Sequence, residues 1–335
     1  MDKSRLVGIR LRRKPPTFGS KLVSSALIAL FWFQSVNVFG WGNEGHEYVN
    51  RVTAEKIPAE MPRFFRHAVA ELTYLGPEPD RWRSPSEYAL KNAQEPDHYI
   101  DLERVAWLDP LPQGRYEFYR KLYEKRAATA AADHPDDYLP EHVGLQPNIT
   151  MEIFGRLKAA FREYRHLREV HQPIGPVEHA IVFYAGWLGH YVADGSQPLH
   201  TTIQYNGWVG PNPKGYNTEH GIHAKFESTY VAQNITAKDF AKFVHAPEHL
   251  ANPFADYVNY LRNRIGRLKM FMRSRKPAVS TARVRLKLLT SRPTDWQPAL
   301  RCSWIFGTRP GLIVRPVQKL RRSRQRSLPP SRHRI

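Results

Sequence analysis

The sequence predicts an all-α protein: a single multi-helix domain over residues 41–270, preceded by an N-terminal signal segment and followed by an irregular basic C-terminal tail. Between positions 41 and 270 apolar residues recur mostly at three- and four-residue spacing, the period of one helix face. No run in that stretch alternates apolar and polar residues as a half-buried strand would. The Pro- and Gly-containing stretches fall between the periodic segments, where they read as loops. Helices are expected over 45–56, 62–72, 115–131, 151–169, 177–194, 220–232 and 254–268, with surface loops over 75–87, 133–147 and 205–217. Within 177–194, Ala180, Phe183, Tyr184, Trp187, Leu188 and Tyr191 follow the i, i+3, i+4, i+7 rule. That pattern predicts a largely buried helix, ending near Gly195 with Pro198 beyond it as a stop.

The two ends differ from this body. Residues 1–21 carry seven basic residues against Asp2, and 22–40 run apolar without a charge, the layout of an export signal. Small residues at Val38 and Gly40 place cleavage before Trp41, giving a secreted or periplasmic product. The alternative is an uncleaved anchor, which needs roughly 20 apolar residues. Residues 271–335 hold seventeen Lys and Arg, one acid (Asp295) and no Glu. They are either a disordered basic tail able to touch nucleic acid or anionic lipid, or the product of a shifted reading frame after Arg264. The abrupt change in composition favours the second.

The formal charge of +19 therefore says little about the body, since 41–270 keeps 26 basic and 29 acidic residues, a formal charge of −3. A basic nucleic-acid groove on the body is not implied. The only cysteine, Cys302, lies in the tail, so the body has no thiolate metal site and no internal disulfide. Asn148 and Asn234 head glycosylation sequons that matter only in a eukaryotic host.

Chemistry concentrates in the second half of the body. His190 and Asp194 are four apart on the expected buried helix, a step that rotates only about 40° around it, so both side chains point the same way. His200 follows past Pro198, in the stretch GHYVADGSQPLH. His223 and Glu227 repeat the four-residue spacing on a later helix, in GIHAKFES. Imidazoles and carboxylates arriving in pairs on helices are how a bundle builds a metal site, because zinc takes neutral imidazole nitrogen and carboxylate oxygen. A lone histidine is more often a hydrogen-bonded core residue; the repeated spacing reverses that preference.

The segment HYVADGSQPLH resembles the signature of the zinc-dependent phospholipase C and single-strand-specific nuclease superfamily, and WGNEGH at 41–46 resembles the mature start of its nuclease branch. PEPDRWR and EPDHYIDLE fit the same pattern, and the resemblance spans roughly 41–230, more weakly between 101 and 179. It implies a helical fold of the phospholipase C/nuclease type that binds three zinc ions. It also implies that Asp80, His98, His190 and Asp194 hold one ion, that His200, His223 and Glu227 hold a second, and that Trp41 and His46, with Asp194 as a bridge, hold the third. Trp41 would use its amino nitrogen and carbonyl oxygen, which requires signal cleavage, since a free α-amino group with a pKa near ~8 can yield its proton to zinc and an internal amide cannot.

Such a cluster would polarise phosphoryl oxygens and bring the pKa of a bound water from ~15.7 toward ~7, which suits hydrolysis of phosphate diesters. Asp80 is the candidate for orienting or deprotonating that water, or is a ligand only. Tyr99, Tyr205 and Trp208 flank the expected ligands and are candidates for stacking on a base or lining a headgroup pocket, or are core. The substrate is single-stranded nucleic acid, favoured by the spacing at 41–46, or a phospholipid, favoured by Glu227, because the nuclease branch usually has aspartate there. A monomer without an obligate protein partner is expected. A reading of another class, a non-catalytic membrane-anchored basic adaptor, uses 1–40 as anchor and 271–335 as tail.

Overall fold

The computed structural model describes residues 42–129, 134–241, 244 and 250–272, all within the compact unit Gly40–Ile335. The signal segment with Trp41, and the tail beyond Met272, lie outside the described residues. Those described form helices and connecting turns with no strand among them, so the protein is all-α.

Six principal helices organise the body: α1 (Gly42–Glu55), α2 (Arg115–Ala128), α3 (Gln146–Glu169), α4 (Gly175–Ser196), α5 (a helical run over 222–234) and α6 (Pro253–Met272). The expected boundaries shift for physical reasons. Helix α3 starts five residues early because Pro147 sits in its first turn, where the missing N–H costs nothing. The segment expected as one helix over 62–72 is two, Arg63–His67 and Val69–Tyr74, broken at Ala68. Two expected loops contain helical turns: Glu78–Arg81 in 75–87, and Pro135–Tyr138 with Pro140–Val143 in 133–147. Each of these turns carries its proline at a position that tolerates it. Over 205–217 the chain is irregular, as expected.

Helices α3 and α4 pack as an αα-hairpin joined by a short connection. The stripe read for α4 needs correction. Leu188 and Tyr191 of the stripe lie in the main core with Ile153, Leu157, Tyr257 and Leu261. Phe183, Tyr184 and Trp187 are only half-buried and pack against it, and Ile181 and Val182 join the core from outside the stripe. Beyond Gly186 nearly every residue of α4 is buried, polar ones included. A second cluster gathers Val49 and Val52 of α1, Ala193 of α4, Leu199, Phe226, Val231 and Phe240. Helices α1 and α4 contribute to both clusters, and they carry the histidines described next. Among the described residues no helix is long and apolar enough to cross a membrane.

Candidate metal centre

Six elements deliver polar side chains to one buried region. The first turn of α1 brings His46, the turn Glu78–Arg81 brings Asp80, and the turn Glu95–His98 brings His98. The end of α4 supplies His190 and Asp194, and the turn Pro198–Thr201 supplies His200. Helix α5 adds His223 and Glu227, the latter within a π-helical turn over Lys225–Tyr230, a distortion that recurs at functional sites. Backbone bonds stitch two of these segments together: Ile100 N–H donates to His200 O and Leu102 N–H to Thr201 O. Close approach of α1 to α4 depends on glycine, since a Cβ at Gly189 would lie 2.2 Å from Asn50 Oδ1.

These side chains form three adjoining groups whose ligand atoms lie within 4.8 Å of one another: His46, His190 and Asp194; Asp80, His98 and His190; and His200, His223 and Glu227. Asp194 is central. Its carboxylate lies 3.3 Å from His46 Nε2, 3.1 Å from His98 Nδ1, 3.2 Å from His190 Nε2 and 3.8 Å from His200 Nε2. Glu227 sits 3.1 Å from His200 Nε2 and 2.7 Å from His223 Nε2. The His46 and His190 rings stack at 3.9 Å. All of these residues are buried except His223, which is partly open.

Several buried polar atoms here, Asp80 Oδ2, Asp194 Oδ1, Glu227 Oε2 and both ring nitrogens of His46, make no well-aligned hydrogen bond, even though Glu227 Oε2 lies 2.7 Å from His223 Nε2 and Asp194 Oδ1 3.3 Å from His46 Nε2. Leaving one such atom unsatisfied costs about 1–3 kcal/mol. Orphans gathered among groups of nitrogen and oxygen donors fit a divalent cation, which would satisfy them together. The far nitrogens of two rings are already committed: His190 Nδ1–H donates to Gly76 O at 2.8 Å, and His200 Nδ1–H to His98 O at 2.6 Å. Their near nitrogens are thereby turned toward the carboxylates.

Electrostatics divide the rings. Burial pushes His98 down to about 4, and burial with the neighbouring His190 lowers His46, so both stay neutral. Burial also opposes charge on His200, but Asp194 and Glu227 outweigh it and raise it to about 9; His190 is raised by Asp194 and Asp80 against the same penalty. Asp194 is held well below the usual carboxylate range by His190 and His200, and Glu227 likewise by His223 and His200, in both cases against burial.

Of the residues singled out from sequence, all eight described side chains proposed as ligands meet here, and Trp41 lies outside the described residues. The aromatic candidates separate. Tyr205 is 51% exposed with its ring 6.0 Å from that of His223, so one face is open beside the cluster. Trp208 packs at 4.3 Å on Tyr216 and donates to Pro211 O, which makes it part of the wall. Tyr99 is tied by its hydroxyl to Glu141 O. The histidine nearest in pattern to a ligand, His220, is exposed and outside the three groups. Asn148 is buried, with its amide donating to Pro112 O and Gln113 O, which closes that sequon to glycosylation.

Three residues at the centre were not singled out from the sequence. Arg83 Nη1 donates to Asp80 Oδ1 at 3.3 Å and Nη2 lies 3.5 Å from Glu95. Gln197 donates to Glu227 Oε1 at 2.6 Å while its own oxygen accepts from Leu199 N–H. Gln94 Oε1 lies 3.0 Å from His98 Nε2. The four-residue step from Gln94 to His98 and the three-residue step from Asp80 to Arg83 were the local cues available. No family model, curated protein or solved structure matches this chain.

Proposed function

We propose that this chain is an exported zinc-dependent phosphodiesterase that cleaves single-stranded nucleic acid, and that it belongs to the phospholipase C/nuclease superfamily its motifs resemble. The observation that carries the reading is the set of three adjoining histidine–carboxylate groups, joined through His190 and Asp194, with orphaned buried oxygens among them. Asp80, His98, His190 and Asp194 would hold one zinc, and His200, His223 and Glu227 a second. His46, Asp194 and the liberated amine of Trp41 would hold a third. Gly42, one residue on from that amine, already abuts the Glu227 backbone, where an added Cβ would sit 3.1 Å from Glu227 O. Bound zinc would supply polarisation of the phosphoryl group and a water acidic enough to ionise near pH ~7.

The chain's own residues do the rest. Asp80 accepts from Arg83 through Oδ1, so a carboxylate that held zinc through the unbonded Oδ2 would keep Oδ1 to orient the attacking water or take its proton. Arg83, a cation whose planar fork suits phosphate oxygens, stands beside that carboxylate, where developing negative charge needs compensation. Tyr205 offers an exposed ring on which a base can stack.

A phospholipase C reading keeps the same centre and is favoured by glutamate at 227. Two measurements test these readings. Metal analysis of the purified mature protein should give about three zinc per chain, and less than about one would remove the centre. Assays on single-stranded DNA and on a choline phospholipid should show cleavage of the first; cleavage of the lipid alone would reverse the substrate. N-terminal sequencing that finds Met1 on the exported chain, rather than Trp41, would favour the anchored adaptor.

A further inference from the structure

An imidazole can offer a nitrogen lone pair to a metal only if its proton sits on the other nitrogen, so something must choose the tautomer. For His190 and His200 a backbone carbonyl chooses it, and no substitution of a side chain can remove that acceptor. His98 is arranged differently. Its Nδ1 faces inward, 3.1 Å from both Asp194 Oδ2 and His190 Nε2 and 3.7 Å from Asp80 Oδ1. Its outward nitrogen, Nε2, meets a side chain, the amide oxygen of Gln94, at 3.0 Å.

The direction of that amide is set from outside the cluster. Gln94 Nε2 lies 3.3 Å from Pro79 O, and a carbonyl can only accept, so the amide nitrogen belongs on that side and the oxygen faces His98. The Tyr191 hydroxyl points at the same oxygen, at 3.5 Å. Proton order therefore runs one way, from a fixed acceptor at Pro79 through Gln94 to an N–H on His98 Nε2, leaving Nδ1 with its lone pair. The same amide also holds the residue immediately before Asp80.

We propose that Gln94 is a positioning residue that locks His98 in its Nε2–H tautomer and ties the Asp80 turn to it, so that Nδ1 and the Asp80 carboxylate present themselves to one ion together. The proposal rests on the metal-centre reading above. Its test separates the two. In the whole chain stripped of metal, nitrogen–proton NMR of the ring should show His98 protonated on Nε2 and bare on Nδ1. Gln94→Leu should mix the tautomers and weaken zinc binding by about 10–100-fold, the usual effect of losing such a partner. Gln94→Glu, whose carboxylate accepts the same N–H but cannot donate to Pro79 O, should restore the Nε2–H tautomer while zinc affinity stays below that of the wild type. A wild-type His98 protonated on Nδ1 overturns the proposal without any variant, so a poorly folding Gln94→Leu does not protect it. A Gln94→Leu protein with wild-type tautomer and zinc affinity overturns it as well. If wild-type protein binds no zinc yet loses the Nε2–H form on Gln94→Leu, the tautomer role stands and the metal reading falls.

Discussion

Asp194 touches four histidines from four different elements, whereas His223 touches only His200 and Glu227 among the proposed ligands. Their substitutions should differ accordingly. Asp194→Asn keeps the shape but halves the coordinating power of the shared carboxylate, and should strip metal from more than one position. His223→Ala should remove about one ion and leave the others. Metal content of the two purified variants decides it, and equal losses would mean Asp194 is no bridge. Tyr205 poses a separate question because it touches the cluster only through the rim of the His223 ring. Stacking one base on an aromatic contributes about 1–3 kcal/mol, so Tyr205→Ala should raise KM for single-stranded DNA roughly 5–150-fold with zinc content unchanged. Steady-state kinetics with a parallel metal assay checks this, and an unchanged KM would leave Tyr205 without a substrate role.

At the scale of elements, the site depends on how closely α1, α4 and the 75–81 segment approach. A Cβ at Gly76 would come within 2.7 Å of His46 O, and one at Gly186 within 2.4 Å of Leu75 Cβ. Gly186→Ala should therefore cost about 1–3 kcal/mol, the usual range for overpacking. Gly76→Ala, pressed against backbone beside a proposed ligand, should also weaken zinc binding. Thermal melts and zinc titrations test the pair, and a wild-type zinc affinity in Gly76→Ala would show that the His46 turn can yield. The contrast also explains what the sequence made legible. His190 with Asp194 and His223 with Glu227 could be read directly, because i, i+4 pairing is a local property of a helix. His46, Asp80 and His98 came only through resemblance: His46 has no ligand partner on its own helix, and Pro77, Pro79 and Pro96 disguise the short turns of Asp80 and His98 as loop. Arg83, Gln94 and Gln197 were missed because their roles depend on partners placed by the fold, or on a pairing that looks ordinary in sequence. The α4 stripe misled for a related reason. A helix enclosed on all sides near its C-terminus has no single apolar face to read.

Across the whole molecule, metal and protons compete for the same groups. His200 is raised above its ordinary 6.5 to about 9, so its proton stabilises the metal-free fold fully below pH ~6.5, and that contribution is lost as pH rises through about 9. Asp194 and Glu227 are depressed, so their contribution is present above their ordinary values and is lost as pH falls through the lower folded ones. The buried, neutral His98 and His46 rings add a loss that begins as pH falls below ~6.5, so the chelated protein should melt highest near pH ~6.5, with Tm declining on either side. Zinc reverses the alkaline side of this dependence. It must displace the proton on His200 to use that nitrogen, so apparent affinity should climb about tenfold per pH unit for each proton released. Stabilisation by a ligand grows as RT ln(1 + [L]/Kd), about 2.7 kcal/mol at a hundredfold excess over Kd. The gain in Tm on adding a fixed zinc concentration should therefore widen from pH ~6.5 to pH ~8 while the chelated baseline falls. Calorimetry across that range, with and without zinc, provides the check. A gain that stays constant with pH would mean that zinc displaces no proton, and would place its binding away from His200.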